Sequence, residues 1–429
     1  MKTVFMIAPY FVPRRRVGAL RPYRFVIHLK EFGWNPVVCT IGEKNEFLTA
    51  SEKEALQEIN IINISPPFDR TSQTAGQNSE VVQPKTLAKT ITNSIADWID
   101  RQVPMDTWYI LFRSSYGKIL EGAKNSNPDV IWSTGDPWSG HWLGRKLASD
   151  LSRPWIADFR DPWTLSGMNL RKRSWFSSWA DRLMEDKIVT SADKLIFTSR
   201  STEKLYSGHY NLNSAKTDTI YNSYHPGQSG KFKKWDAELS DEHVNIVFFG
   251  SFRRLSPVLP IARALSEMEG DIRDKIRVHS FGPLSQSDEK LLEGLGIGRL
   301  FTSHQKVKPE QAQAVFEKAC LLLVSTSSER ETIIPAKLWE YLASGKPVLS
   351  ITPNSEIGEI LKETGAGAHF SNGQEREIAE WLTQFAKKPR IEVSGKERMS
   401  KSSAFEKFSS KSATGKLAQI MNELVTNEQ

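Results

Sequence analysis

The side chains most able to do chemistry lie in four short stretches. The most informative is Arg330-Glu331-Thr332-Ile333-Ile334-Pro335-Ala336-Lys337-Leu338-Trp339-Glu340-Tyr341-Leu342-Ala343-Ser344-Gly345-Lys346-Pro347-Val348. Pro335 suits a first helical turn and Gly345 a C-terminal cap, with a strand starting after Pro347. Lys337 and Glu340 are three apart on that helix and share a face, so both can point at a ligand. A glutamate on a helix lined by Leu338, Trp339 and Leu342 is costly unless something pairs with it, and a Lys337–Glu340 salt bridge would satisfy that equally well.

In Pro13-Arg14-Arg15-Arg16-Val17-Gly18-Ala19-Leu20-Arg21 a glycine lets a ligand approach the backbone. A helix N-terminus and adjacent arginines there favour an anion. A solvated basic loop with Gly18 as a turn residue fits the same residues. Asp158-Phe159-Arg160-Asp161 follows an apolar run, where its charges either orient substrate hydroxyls or pair structurally to fix the loop. Gly135-Asp136-Pro137-Trp138-Ser139-Gly140-His141 occupies another strand end.

Several chemistries are unsupported. No G-x-x-x-x-G-K-[ST] occurs, and Gly294, Gly296 and Gly298 lack the spacing and preceding strand of a dinucleotide fingerprint. No Asp-x-Asp is present to bridge a metal to a diphosphate, and the 8 histidines form no i, i+4 pair, so no metal and no cofactor are expected. Cys39 and Cys320 lie far apart in apolar runs, which suits a reducing cytoplasm.

The elements that must position these residues alternate between short apolar runs and helical periods, as βαβ units do. Strands are expected at Val4–Ala8, Val37–Ile41, Ile61–Ile64, Val130–Ser133, Trp155–Asp158, Leu195–Thr198 and Thr219–Ile220. A second series follows at Val244–Gly250, Ile276–Gly282, Arg299–Thr302, Leu321–Ser325 and Pro347–Ile351. At ~100–200 residues per domain, 429 residues make two doubly wound domains, expected at 1–227 and 240–389. A tail over 390–429 ends in a helix that packs back on the first domain, and ligands are expected in the cleft between the domains. Residues 69–85 are polar and aperiodic enough for a mobile loop. The N-terminal apolar run is too short for a signal peptide, and no run reaches the ~20 residues of a membrane span.

The excess of 57 basic over 50 acidic residues, +7, suits anionic ligands without choosing one. Seven of the 13 tryptophans lie between Trp132 and Trp179. Leu170-Arg171-Lys172-Arg173-Ser174-Trp175-Phe176-Ser177-Ser178-Trp179 mixes cations and aromatics as an interfacial membrane segment does, although core packing explains Trp175 and Trp179 as well. No nucleic-acid motif accompanies them.

The stretch Ile334–Leu349 resembles the C-terminal signature of GT-B glycosyltransferases of family 4. Tyr10-Phe11-Val12-Pro13 with Val17–Phe25 and Phe32-Gly33-Trp34 resembles the family's N-terminal loop and first helix. Asp129–Thr134, Pro154–Trp163 and Val244–Phe252 resemble a polysaccharide-building branch, and the resemblance runs in order from residue 1 to about 385. It implies an α/β GT-B architecture of two Rossmann-like domains and retaining, metal-independent transfer of a sugar from a nucleotide diphosphate sugar to an acceptor hydroxyl. The leaving phosphate would accept the acceptor's proton, so no dedicated base is required. The partners implied are a nucleotide sugar and a lipid-linked glycan acceptor, with the protein in the cytoplasm and in peripheral contact with the inner face of an acidic membrane.

By the same resemblance, Gly18, Arg253, Arg254, Glu331, Thr332, Ile334, Ala336, Lys337 and Glu340 bind the nucleotide sugar. Glu340 matches the second Glu of the Glu-x7-Glu motif, which binds the ribose. Position 332, where the first is expected, holds Thr, and Glu331 is its neighbour. Asp158, Arg160 and Asp161 are the catalytic candidates, and Arg16, Arg21, Asp136, Trp138 and His141 the acceptor-side ones. Thr332 also fits a rival reading, a GT-B-shaped regulatory subunit that binds nucleotide without turnover.

Overall fold

The computed structural model describes residues 1–14, 17–42, 48–65, 102–167, 173–225, 239–307, 309–388 and 403–426. The expected mobile loop at 69–85, most of the linker between domains, the start of the tail, and Arg16, Arg171 and Lys172 lie outside these residues. The chain divides into two compact units, Met1–Thr198 with Thr202–Tyr221 and Ala413–Gln429, and Asn222–Ser412 with Ser199–Ser201.

Unit 1 is built on seven strands, β1 (Lys2–Ile7), β2 (Trp34–Ile41), β3 (Asn60–Ile64), β4 (Val130–Gly135), β5 (Trp155–Phe159), β6 (Lys194–Phe197) and β7 (Thr217–Thr219). They pair in parallel in the order β3-β2-β1-β4-β5-β6-β7. Every residue of β4 and β5 is buried, as expected of strands covered on both faces. Successive side chains serve opposite faces. Phe5, Ile7 and Ile131 enter one core with Phe159 and Phe197, while Val4, Met6 and Trp132 enter another with Phe25.

Four helices of this unit matter below, α1 (Val17–Leu29), α2 (Ser139–Leu151), α3 (Trp175–Ser191) and α4 (Arg200–Tyr210). The second core is completed by Leu417, Ala418, Ile420 and Met421 from a helix over Ser410–Thr426.

Unit 2 carries β8 (Val244–Phe248), β9 (Ile276–Phe281), β10 (Phe301–His304), β11 (Leu321–Ser325), β12 (Val348–Ile351) and β13 (Gly367–Phe370). All pair in parallel, in the order β10-β9-β8-β11-β12-β13. Its helix α5 (Lys337–Ser344) buries Leu338, Trp339, Tyr341 and Leu342 and ends at Gly345, whose φ of 69° is left-handed as a C-cap requires.

Two elements depart from the sequence expectation. β13 has only four residues and carries Gly367 and His369 at an edge, too little apolar signal to read as a strand. Helix α3 faces polar residues inward as far as Glu185: Ser177, Asp181 and Glu185 are buried while Trp175 and Trp179 are 81% and 53% exposed, and only then do Ile188 and Val189 enter the apolar core. Core packing therefore does not explain these two tryptophans.

Candidate functional site

In both sheets the strand order reverses beside the first strand, between β1 and β4 and between β8 and β11. Connections leave a reversal in opposite directions, which opens a crevice at the carboxyl ends of the strands where α/β ligands bind. Some of the expected site residues of each unit follow strands near its reversal.

In unit 1, Arg160 follows β5 and reaches across the end of β4. Its Nε donates to the Gly135 carbonyl at 2.8 Å and its Nη2 donates to the Asp136 carbonyl. The guanidinium lies against Gly18, the second residue of α1, where an added Cβ would overlap Nη1. Gly18 thus supplies close approach rather than a turn. Gly18→Ala should push the guanidinium off its two carbonyls at a cost of about 1–3 kcal/mol, read as a lower urea midpoint; an unchanged midpoint would mean the arginine is not held.

Asp158 and Arg21 form a pair instead of facing a substrate. Arg21 Nη2 and Nε donate to the Asp158 carboxylate at 2.7 and 2.9 Å, and Thr134 Oγ1 donates to it at 2.9 Å. Arg21 Nη1 donates to the Tyr221 carbonyl at 3.0 Å. With Asp158 fully buried and Arg21 5% exposed, the catalytic role expected for one and the acceptor role expected for the other give way to a structural ion pair. Asp161 follows on the same loop, half-buried.

His141 is also corrected. It is fully buried on α2, stacks on Phe159 at 4.8 Å, and its Nδ1 lies 2.8 Å from Ser133 Oγ, which accepts from Trp155 Nε1. Burial, and then the charge of Arg160, push its pKa down to about 3, so the ring is neutral and out of an acceptor's reach. Trp138 stacks face to face on Trp163 at 5.0 Å with 8% exposure. The Asp136 side chain is half-buried. The N-terminus of α2 is no anion site, because Asp106 already accepts there from the Ser139 backbone N–H and hydroxyl at 2.9 and 2.7 Å.

In unit 2 the centre is Lys337, at the start of α5. Its amine donates to the Phe249 carbonyl at 3.0 Å, just beyond β8, and lies 3.7 Å from the centroid of the Phe248 ring. That contact, rather than a bridge to Glu340, places the amine. Burial first, then the charges of Arg330 and Arg253, lower its pKa to about 7. Arg330 and Arg253 thus both oppose the charge of Lys337, an effect that an incoming anion relieves.

Arg253 is exposed, whereas Arg254, also exposed, pairs with Glu329. Ile334 is buried, and Ala336 forms the N-cap of α5 with no side chain capping it. Glu340 and Thr332 are half-buried, and Glu331 is exposed after the turn Ser328–Arg330. Sequence reading missed Arg330 as a member of the cation group and Phe249 as the anchor. Arg330 opens the motif stretch and was visible in principle; Phe249, 88 residues from Lys337, was not.

Two parallel sheets of this strand order, one in each half of the chain, define the GT-B fold. Solved structures share it over nearly the whole length. A sucrose-phosphate synthase from Thermosynechococcus elongatus superposes with a TM-score of 0.66 at 14% identity, covering 100% of both chains. HepE from Anabaena, in complex with UDP and glucose, gives 0.59 at 12% identity, covering 99% of this chain and 100% of that one. WaaG, a glycosyltransferase involved in lipopolysaccharide biosynthesis, gives 0.57 at 12% identity over 97% and 99%. No protein-family model matches the sequence, and no curated protein matches it significantly.

Proposed function

We propose that the protein is a glycosyltransferase that takes a sugar from a nucleotide diphosphate sugar. The observation that carries this reading is the group of Lys337, Arg253 and Arg330 at the strand reversal of unit 2. A diphosphate seated there restores the lysine's charge and gives the leaving group the electrostatic stabilisation that departure needs. The UDP and glucose named for HepE, a chain of the same fold, support this ligand class.

In the finer reading, transfer retains the anomeric configuration and needs no metal, the protein's cations supplying the neutralisation. The acceptor is a lipid-linked glycan in surface polysaccharide synthesis, met at the cytoplasmic face of a membrane. Arg160 and Asp161, at the strand ends of unit 1, serve the reacting sugar or acceptor, and Glu340 holds the nucleotide's ribose.

Incubation with a panel of nucleotide sugars and lipid-linked acceptors, with and without chelator, tests it. Product with the donor's anomeric configuration is expected in both. Glu340→Ala should weaken nucleotide binding by about 1–3 kcal/mol, as loss of a charge-assisted hydrogen bond does. Tight nucleotide binding with no transfer from any donor, unaffected by Thr332→Glu, would instead make the chain a binding subunit.

A further inference from the structure

The polarity of α3 is inverted. Before the apolar Ile188 and Val189 of its last turn, its buried residues are Ser177, Asp181 and Glu185, and each is matched by the fold. Ser177 Oγ donates to the Gln102 carbonyl at 2.7 Å, Asp181 pairs with Arg173 at 2.8 Å, and Glu185 accepts from Thr164 and Tyr206. Its solvent face holds Trp175, Phe176, Trp179 and Leu183, exposed by 81, 48, 53 and 40%. The spacing i, i+4, i+8 with Phe176 alongside makes one stripe of about 100°. Among the described residues, the other exposed large hydrophobics are Met1 and Ile110.

A helix that puts polar groups into the core, and satisfies them there, gains nothing for folding from aromatic residues outside. We infer that this face docks on an anionic lipid bilayer. Trp and Phe are the side chains that settle at the boundary of headgroups and acyl chains. Charge complementarity selects the anionic surface: Arg182 and Lys187, both exposed, flank the stripe, against the one exposed acid Asp186. Arg171 and Lys172 precede the helix in sequence, and the whole chain carries +7. Among the described residues no helix is long and apolar enough to cross a membrane, so the contact is an interfacial one. It deepens the proposed function, resting on that reading only for the purpose of the contact, which is to bring the protein to a lipid-linked acceptor.

Sedimentation of the full chain with vesicles of phosphatidylcholine alone, and with an equal part of phosphatidylglycerol, tests the inference without any transfer assay. Binding to the anionic vesicles is expected, with a blue-shifted tryptophan emission. The double variant Trp175→Ser/Trp179→Ser should lower it by on the order of tenfold or more, and Arg182→Glu/Lys187→Glu should lower it while leaving the aromatic face intact. These side chains are exposed, so far-UV dichroism and the melting midpoint should be those of the parent protein. Equal binding by parent and variants would overturn the inference. So would a dimer in sedimentation velocity that the tryptophan variant dissolves, which would make a second copy of the chain the occupant. Nucleotide-sugar binding is measured separately, so its failure is distinguishable from failure of the vesicle experiment.

Discussion

Lys337→Met is expected to weaken binding of a nucleotide sugar by about 10–100-fold, the loss of a charge-assisted contact worth roughly 1.5–3 kcal/mol, and to lower transfer by at least as much. The amine sits where the strand order of unit 2 reverses, donating to the Phe249 carbonyl. Its fellow cations Arg253 and Arg330 oppose its charge, and burial opposes it more. With a free-protein pKa of about 7, Lys337 is charged below that pH and neutral above it. A diphosphate favours the charged form, so binding above pH 7 takes up a proton, and affinity should fall by up to about tenfold per pH unit there. Below pH 7 it should level off. The diphosphate of a nucleotide sugar does not titrate in this range, so the slope reports the protein. Calorimetry at several pH values in buffers of different ionisation heat measures both affinity and proton uptake. A flat profile in the parent, or the same slope in Lys337→Met, would remove the lysine from the phosphate site.

Asp158→Ala should destabilise unit 1 by about 3–5 kcal/mol, because it leaves the Arg21 guanidinium buried without its counter-charge. The pair is held by three hydrogen bonds between guanidinium and carboxylate, the shortest at 2.7 Å, with Thr134 as a further donor. At about 2–4 °C per kcal/mol for a unit of this size, the melting midpoint should drop by about 6–20 °C. Arg21→Met, which removes the charge and keeps an apolar side chain over Phe25, should cost less than Arg21→Ala. The experiment also separates two uses of Asp158. A variant that melts like the parent yet loses transfer would return the residue to a catalytic role.

Much of the fold was legible in the residues themselves, for local reasons. Most strands of both sheets announce themselves as apolar runs, the exceptions being β7, β10 and β13, and α5 is bracketed by Pro335 and Gly345, signals that need no distant partner. Lys337 and Glu340 were read from the same stretch. What stayed hidden depends on contacts far along the chain. Arg21 meets Asp158 across 137 residues, and Arg160 meets Gly135 across 25, so spacing alone left open whether these charges face a ligand or one another. His141 looked available because its stretch lies at a strand end, yet Phe159 and Ser133 enclose it. Helix α3 was missed for the opposite reason. Its pattern is that of a helix facing the other way, and only its buried partners at Gln102, Arg173 and Tyr206 explain why.

The helix over Ser410–Thr426 bears on synthesis as well as on shape. Leu417 and Met421 are fully buried in a core shared with β1 and β4, strands translated far earlier. The first unit therefore emerges from the ribosome with one face of its sheet only partly covered, by α1, and keeps it so until all of unit 2 has been made. Unit 2 has every strand of its own sheet in hand by β13 and can close first. The order of folding thus runs against the order of translation, and a nascent chain halted after unit 2 should display an apolar sheet face to chaperones.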